Sequence, residues 1–361
     1  VIPRGAGTQI SLGMPPERYD VALDLSSLER LFDHEAADLT VTVDAAHGWE
    51  SMQAALSERG QWVPLDPVLK DGHPHAPAEG ALPAPVGASV GGILATNASG
   101  PARIRYGTAR DLVIGMTVAL ASGEIVKSGG RVVKNVAGYD MAKLHIGALG
   151  TLGVILQASF KVSPLAESRP IVVAQGGSAA AAKLAEGVLA ARLPLLGLEL
   201  IGGSGSVWSL AARFGGGAVA VERAVSEFGT LAAAVKAKLT DEAPSAPDAA
   251  AVQVRAGVLP AKTVQLAEAL ADAGASVTAY PGVGALHCSW TEAPEAEVIE
   301  TLRRRAVEAG GALVLERAPV ELKRAVGVWG DPRGDFALMQ RLKQQFDRSR
   351  TLNPGRFVGG I

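Results

Sequence analysis

The sequence predicts an α+β protein of two compact domains, on three observations. Its 361 residues are too many for one ordinary core. Short alternating apolar runs exchange repeatedly with stretches of helical periodicity. Near Glu167 the composition shifts from glycine-rich to alanine-rich, and the second regime runs to about Arg317. The expected division is 1–165, then 166–330, then a closing segment 331–361.

Composition narrows the partners. Lys plus Arg number 34 and Asp plus Glu 36, a formal net charge of −2, which gives no electrostatic reason to expect nucleic acid or an anionic membrane. No apolar run approaches the ~18 residues that read as a transmembrane segment. The single cysteine, Cys288, excludes an internal disulfide and a cysteine-ligated iron–sulfur cluster within this chain. Neither a Walker A motif nor a G-x-S-x-G elbow is present.

Val1-Ile2 running into Pro3-Arg4-Gly5-Ala6-Gly7-Thr8 reads as a strand end and a tight glycine turn. The chain thus opens inside a strand, and a segment before Val1 is expected. Strand signals follow at 19–25 and 39–43, the second alternating. Asp44 is expected to cap a helix ending near Gly60, with Trp49, Met52 and Leu56 on one face. Residues 61–85 form a proline-rich connection. Its His73 and His75 make an H-x-H that reads as polar loop in preference to a metal pair.

The stretch from Pro85 to Ile155 carries the chemistry. Glycine falls at 87, 91, 92, 100, 147, 150 and 153, among the small residues Ala88, Ser89, Ala95, Thr96, Asn97 and Ser99. Glycine permits φ > 0, and successive unshielded N–H groups form nests for anions, so the stretch suits a pyrophosphate. Within and after it the sequence predicts a strand at 112–120, a turn at 121–124 and a returning strand at 125–128. A helix is expected over 135–149 and a strand over 154–162, with Pro164 closing the domain.

The alanine-rich part reads as two βαβ halves. The first has strands at 171–174 and 198–201 and helices at 179–191 and from 218. The second has strands at 252–256, 277–279, 285–290 and 312–315, and helices at 261–273 and from 295. That order predicts a ferredoxin-like α+β layer with duplicated halves, joined by a linker at 240–250. A last helix at 336–346 is expected to turn Phe336, Met339, Leu342 and Phe346 inward, ahead of a compact Leu352-Asn353-Pro354-Gly355-Arg356 turn.

PRGAGT at 3–8, PVGASVGGILATNASG and YGTARD within 85–111, GALGTLGVI at 147–155 and the closing LNPGR arrive in order. Together they resemble the FAD-binding domain of the vanillyl-alcohol-oxidase/PCMH flavoprotein family. Pro64-Leu65-Asp66-Pro67, Arg105-Tyr106-Gly107, Val136-Ala137-Gly138-Tyr139-Asp140 and Lys343-Gln344-Gln345-Phe346-Asp347 bring the likeness closest to the shorter, E-type FAD-binding subunits of bacterial glycolate oxidases. The resemblance implies a PCMH-type two-subdomain FAD-binding domain with a ferredoxin-like cap over 166–330 and a C-terminal segment returning to the flavin.

It also implies roles. Pro3, Arg4, Gly5, Ala6, Gly7 and Thr8 would bring main-chain N–H groups to the FAD diphosphate. Gly87, Ser89, Gly91, Gly92, Ala95, Thr96, Asn97 and Gly100 would wrap the diphosphate and ribityl chain from the other side, with Tyr106 and Gly107 nearby. Gly150, Gly153, Val154 and Ile155 would lie along a ring of the cofactor, and Asn353 would return to it. No His, Cys or Tyr nucleophile falls inside the matched cradle, so noncovalent FAD is expected. The implied partners are a larger FAD-binding catalytic subunit and an iron–sulfur subunit. The implied location is cytoplasmic, peripheral at the inner membrane through those partners.

Two departures from the family pattern matter. Where hydroxyacid-oxidising relatives carry a histidine-rich metal motif, this chain reads Gly284-Ala285-Leu286-His287-Cys288-Ser289-Trp290, with one histidine and no acid. No metal site is expected, and His287 reads as structural. Where those relatives carry a glutamate within GSEGTLG, this chain has Leu149. The expected function is therefore a redox subunit of a glycolate (2-hydroxyacid) dehydrogenase or oxidase complex, passing electrons from flavin to a partner. A self-sufficient hydroxyacid dehydrogenase is the alternative, with Arg103, Arg105, Arg110 and Tyr106, Tyr139 or His145 as candidate substrate contacts. A noncatalytic scaffold is the third reading.

Overall fold

The computed structural model describes residues 1–67, 87–131, 138–205, 207–241 and 250–361. His73, His75, Pro85, Val136, Ala137 and most of the expected linker lie outside them. The chain divides into two compact units. Unit 1 takes Val1–Gly100, Tyr106–Leu165 and Asp331–Ile361, and unit 2 takes Pro101–Arg105 and Ala166–Gly330.

In unit 1, Ile2–Arg4 (β1) and Ala22–Asp24 (β2) pair in parallel, Ile2 opposite Ala22. Next come Phe32–Glu35 (β3), Thr40–Asp44 (β4), Gln61–Trp62 (β5), Val113–Ala119 (β6), Ile125–Gly129 (β7), Val154–Lys161 (β8) and Ser163–Pro164 (β9). Five of these form one antiparallel sheet in the order β3-β4-β8-β6-β7, and β5 pairs with β9. β-Branched residues suit the pleat of β4, where Val41 and Val43 are wholly buried. The helix Trp49–Ser57 sets Trp49, Met52 and Leu56 into this core, with Trp49 edge-on to Phe160 at 6.1 Å. Each such side chain contributes about 1.5–3 kcal/mol by leaving water.

Two expectations need correction here. Asp44 does not cap the helix, which begins at Trp49 after Gly48. Its carboxylate instead accepts the N–H groups of Arg30 and Leu31 at 3.1 and 2.9 Å, while its backbone extends β4 opposite Gln157. The helix expected over 135–149 is, among the described residues, only Ala142–His145. Gly147, Leu149 and Gly150 take φ of +83°, +52° and +68°, and left-handed residues end a right-handed helix.

Unit 2 contains Ile171–Gly176 (β10), Leu195–Gly202 (β11), Trp208–Phe214 (β12), Lys238–Thr240 (β13), Val252–Gly257 (β14), Ser276–Tyr280 (β15), Ala285–Trp290 (β16) and Ala312–Arg317 (β17). They form one antiparallel sheet, β13-β10-β12-β11-β15-β16-β14-β17. The helices Ser178–Ala190, Ala218–Ala234, Thr263–Asp272 and Ala296–Glu308 complete two βαββαβ halves. Each half has the ferredoxin-like order in which its fourth strand neighbours its first. The halves join where β11 meets β15, Leu200 opposite Ala279. Phe214 packs edge-on against Phe228 at 6.1 Å, both fully buried. Strands β12 and β13 and the helix Val320–Val326 were not expected from the sequence. β12 reads WSLAARF and is buried on both faces, so it shows no alternation to detect.

The helix Phe336–Phe346 belongs to unit 1. Phe336, Met339, Leu342 and Phe346 are only half-buried, and the residue of this helix that is fully buried is Lys343.

Candidate functional site

Unit 1 holds an open cleft built from several stretches of the chain. Pro3 and Gly5 after β1, with Leu25 after β2, form one wall. Ala45, Ser89, Gly91, Gly92 and Ala95 form a second. Leu149, Gly150, Gly153, Val154 and Ile155 form a third, and Asn353 closes the cleft from the C-terminal segment.

Ser89 joins the first two walls. It caps the helix Val90–Thr96, and its Oγ accepts the N–H of Gly92 at 3.3 Å and that of Ala6 at 3.5 Å. A Cβ on Gly5 would stand 2.5 Å from that same oxygen, so only glycine lets the PRGAGT turn approach. Gly91 donates its N–H to the Ala45 carbonyl at 2.8 Å, and a Cβ there would meet the Ala45 Cβ at 2.9 Å. The third wall is tied to the same helix by Gly147 N–H to Leu94 O and Leu149 N–H to Ala95 O, both 2.9 Å.

The C-terminal segment is fixed by charge. Lys343 and Asp347, one turn apart, form an ion pair at 2.7 Å with side chains 6% and 0% exposed. The Lys343 ammonium also donates to the carbonyls of Thr151 at 2.7 Å and Leu352 at 3.0 Å. Burial pushes the Asp347 carboxyl up, but Lys343 and the N–H groups of Leu352 and Thr351 outweigh it and hold the carboxyl below the usual range. Asn353 Nδ2 donates to Leu149 O at 2.6 Å, and Arg356 donates to the carbonyls of Ile10 and Leu12. One short segment therefore grips the first and third walls together. Behind the third wall His145 is buried edge-on to Phe346 at 5.9 Å, and burial lowers its pKa.

Of the residues singled out from sequence, Pro3, Gly5, Ser89, Gly91, Gly92, Ala95, Gly150, Gly153, Val154, Ile155 and Asn353 line the cleft. The others are not part of its lining. Ala6 is buried beside Ser89, and Gly7 in the same turn presses on Arg4. Thr8 follows in that turn. Thr96 donates to Gly92 O at 2.8 Å, and Asn97 is the left-handed C-cap of the same helix. Gly87, Gly100 and Gly107 make close approaches to Glu50, the Asp66 carbonyl and Asp111 respectively, which is reason enough for glycine at each.

Arg103, Arg105 and Tyr106 lie on the short helix Arg103–Tyr106 and are not among the lining residues. Arg105 donates to Gly215 O at 2.9 Å, and Tyr106 is edge-on to Trp62 at 5.7 Å. In unit 2, His287 stands 3.9 Å from Glu316, which Arg255 meets at 3.3 Å. Leu25 and Ala45 line the cleft but belong to no motif, and small apolar residues carry no signal of their own. Leu149 stood out in the sequence only as a departure from the family glutamate.

The lining fits a flavin nucleotide. None of its described lining residues carries a charge, its walls are mostly glycine and small apolar residues, and the buried Oδ1 of Asn353 has no hydrogen-bond partner among the described residues. Such a surface admits flat rings and leaves main-chain N–H groups within reach of an anion.

Comparison with known proteins agrees. The family model of the FAD binding domain matches residues 1–72 and 75–129. The chain is 32% identical over 202 residues to the mitochondrial D-lactate dehydrogenase [cytochrome] of Arabidopsis thaliana, covering 54% of this chain and 33% of that protein. It is 30% identical over 202 residues to glycolate oxidase subunit GlcD of Bacillus subtilis (strain 168), covering 56% and 40%. It is 32% identical over 161 residues to glycolate oxidase subunit GlcE of Escherichia coli (strain K12), covering 45% and 41%. The matches thus span 33% to 41% of these relatives' own length. Two crystal structures of alkyldihydroxyacetonephosphate synthase share the fold across 98% of this chain at 16% identity, with TM-scores of 0.69 and 0.65. They cover 71% and 72% of those chains.

The fold is that of PCMH-type FAD-binding proteins, with a second unit of duplicated ferredoxin-like halves, and the stretch that matches the FAD binding domain supplies part of the cleft. FAD is its cofactor. No helix among the described residues is long and apolar enough to cross a membrane.

Proposed function

We propose that this chain is an FAD-dependent oxidoreductase, working as the redox subunit of a 2-hydroxyacid dehydrogenase or oxidase of the glycolate oxidase type. The observation that carries the subunit role is the chemistry of the cleft. Its described lining residues offer main-chain groups, one serine, one asparagine and apolar surface, and no acid, base or arginine is among them. A hydroxyacid oxidase acting alone needs a base at the substrate and a cation for its carboxylate. Arg103, Arg105 and Tyr106 do not line the cleft, so the self-sufficient reading lacks its contacts there.

When bound, FAD supplies two-electron acceptance and one-electron delivery. The chain's part is to hold and orient it. The turn at Pro3–Thr8 would bring main-chain N–H groups to the diphosphate, Gly91 and Gly92 would let it pass close to the opposite wall, and the Gly150–Ile155 stretch and Asn353 would exclude water from a ring. Units 1 and 2 correspond in this reading to a flavin domain, closed by residues 331–361, and a cap. No histidine, cysteine or tyrosine is among the described lining residues, which supports noncovalent attachment. Electrons then leave through a larger flavin subunit and an iron–sulfur subunit, in the cytoplasm and at the inner membrane through those partners. The relatives named as glycolate oxidase subunits support this assembly.

The test is a visible spectrum of the purified chain, followed by anaerobic glycolate or D-lactate. Bound flavin that bleaches only after the larger subunit is added supports the redox-subunit role. Bleaching by substrate alone makes the chain a self-sufficient dehydrogenase, and absence of flavin makes it a scaffold. Yellow colour retained by acid-precipitated protein contradicts noncovalent attachment.

A further inference from the structure

We propose that residues 101–105 are a clamp on unit 2 that flavin binding tightens, so that the cofactor stabilises the junction between the two ferredoxin-like halves. The cofactor part of the proposal rests on the reading of the cleft as the FAD seat. Pro101–Arg105 belong to unit 2, while the chain on either side of them belongs to unit 1. The segment is therefore an intramolecular ligand of unit 2 whose two ends are held elsewhere.

The halves of unit 2 meet at β11 and β15 through the pairs Leu200–Ala279, Ile201–Thr278 and Gly202–Val277. Three residues beyond the Leu200–Ala279 end of that ladder stand Gly197 in the first half and Gly282 in the second. The clamp fills the space at both glycines. A Cβ on Gly197 would meet Pro101 Cβ at 2.8 Å, and one on Gly282 would strike Ile104 Cδ1 and meet Leu189 Cδ2 at 3.1 Å. Pro101 and Ile104 are joined in one turn by the Ile104 N–H to Pro101 O bond of 3.2 Å. Arg105 adds its bond to Gly215 O, just past β12. Pro101 and Ala102 are buried. The clamp thus holds both halves at the point where their pairing stops.

Both ends of the clamp are anchored in unit 1. Upstream, the helix Val90–Thr96 gives Gly91, Gly92 and Ala95 to the cleft, and Ala98 N–H closes it on Ile93 O at 3.1 Å. Gly100 lies so close to the Asp66 carbonyl that no side chain fits. Downstream, Tyr106 is edge-on to Trp62. A ligand that orders the cleft helix fixes the point from which the clamp departs. A segment with fixed ends loses less entropy when its middle docks, so cofactor binding and clamp docking favour each other.

Hydrogen exchange of the full chain, followed by mass spectrometry, reads the junction. In wild type, amides of 195–202 and 276–280 are expected to exchange at least about fivefold more slowly with saturating FAD than without it. Two glycines inserted between Gly100 and Pro101 leave every clamp residue in place but loosen its path from the helix. That variant, shown to bind FAD by fluorescence titration, should lose most of the difference. Equal exchange in apo and FAD-bound wild type, or a full FAD effect in the insertion variant, would overturn the proposal.

A second arm needs no cofactor. Ile104→Ala in apo-protein should speed exchange at 195–202 and 276–280 while leaving 154–161 of unit 1 unchanged, and exchange equal to wild type at the junction shows that the segment is no clamp. Wild-type protein that binds no FAD in the titration refutes the seat, and the cofactor part of the proposal with it, an outcome distinct from these.

Discussion

Gly5 lies against Ser89 so closely that a Cβ on the glycine would stand 2.5 Å from the serine Oγ. The contact couples two motifs that are far apart in sequence, and it can be isolated by a double-mutant cycle. Gly5→Ala is expected to weaken both apo-stability and FAD affinity, and Ser89→Ala to cost about 1 kcal/mol as a lost cap. The double variant should cost less than the sum, because the oxygen that the added methyl strikes is gone. Urea melts and flavin titrations of all four proteins check this, and strict additivity would refute the coupling.

Removing one partner of the buried Lys343–Asp347 pair leaves the other charge uncompensated. Lys343→Met is expected to destabilise unit 1 by about 3–5 kcal/mol, read from chemical denaturation. The same variant releases the Thr151 carbonyl from its 2.7 Å bond, so FAD affinity should fall with it. In wild type the Asp347 contribution is present above the ordinary carboxylate value of 3.8 and is lost as pH falls through its lowered folded value. Without Lys343 the folded value rises, so that contribution should shrink and its loss should end at higher pH.

His145 sets a second pH dependence nearer neutrality. Burial lowers its folded pKa below the ordinary 6.5, so the unfolded chain binds the proton more readily. Stability should be full above 6.5 and decline as pH falls below it. Comparing urea midpoints at about pH 7.5 and about pH 5.5 tests this. His145→Leu should show a smaller decline than wild type, and an unchanged decline would assign the effect elsewhere.

Two cleft glycines should be intolerant of a methyl group. A Cβ on Gly153 would meet Val118 Cγ1 at 2.5 Å and His145 Cε1 at 3.2 Å, and one on Gly91 would meet Ala45. Gly153→Ala and Gly91→Ala are expected to cost about 1–3 kcal/mol by overpacking. Gly334→Ala is the control, since nothing stands within 4 Å of its Cβ position. Differential scanning calorimetry separates the three.

Much of this was legible in the sequence for physical reasons. The helix Trp49–Ser57 and the helix Phe336–Phe346 carry amphipathic periodicity, and the former buries the three residues that its spacing selects. The glycines of the cleft were visible because close backbone approach admits no other residue. The parts that escaped lack local signals. Strand β12 is apolar on both faces, Asp44 takes its partners from the preceding loop rather than from a following helix, and Lys343 is a cation whose burial depends on Asp347, Thr151 and Leu352. A spacing rule for an amphipathic helix places Lys343 beside the apolar positions but gives no reason to bury it. Gly100 and Gly107 show the converse limit, since a glycine required for packing reads the same as one required for a ligand.

Unit 1 is assembled from three stretches of chain, and residues 166–330 intervene before the last of them. The carbonyls of Thr151, Leu149 and Leu12 take donors from Lys343, Asn353 and Arg356, which lie 192, 204 and 344 residues downstream. On a ribosome the glycine turns therefore emerge long before the wall that closes them, and such distant contacts form late. A nascent chain interrupted before Asn353 has made every glycine turn of the cleft but still lacks the segment whose donors tie those turns together.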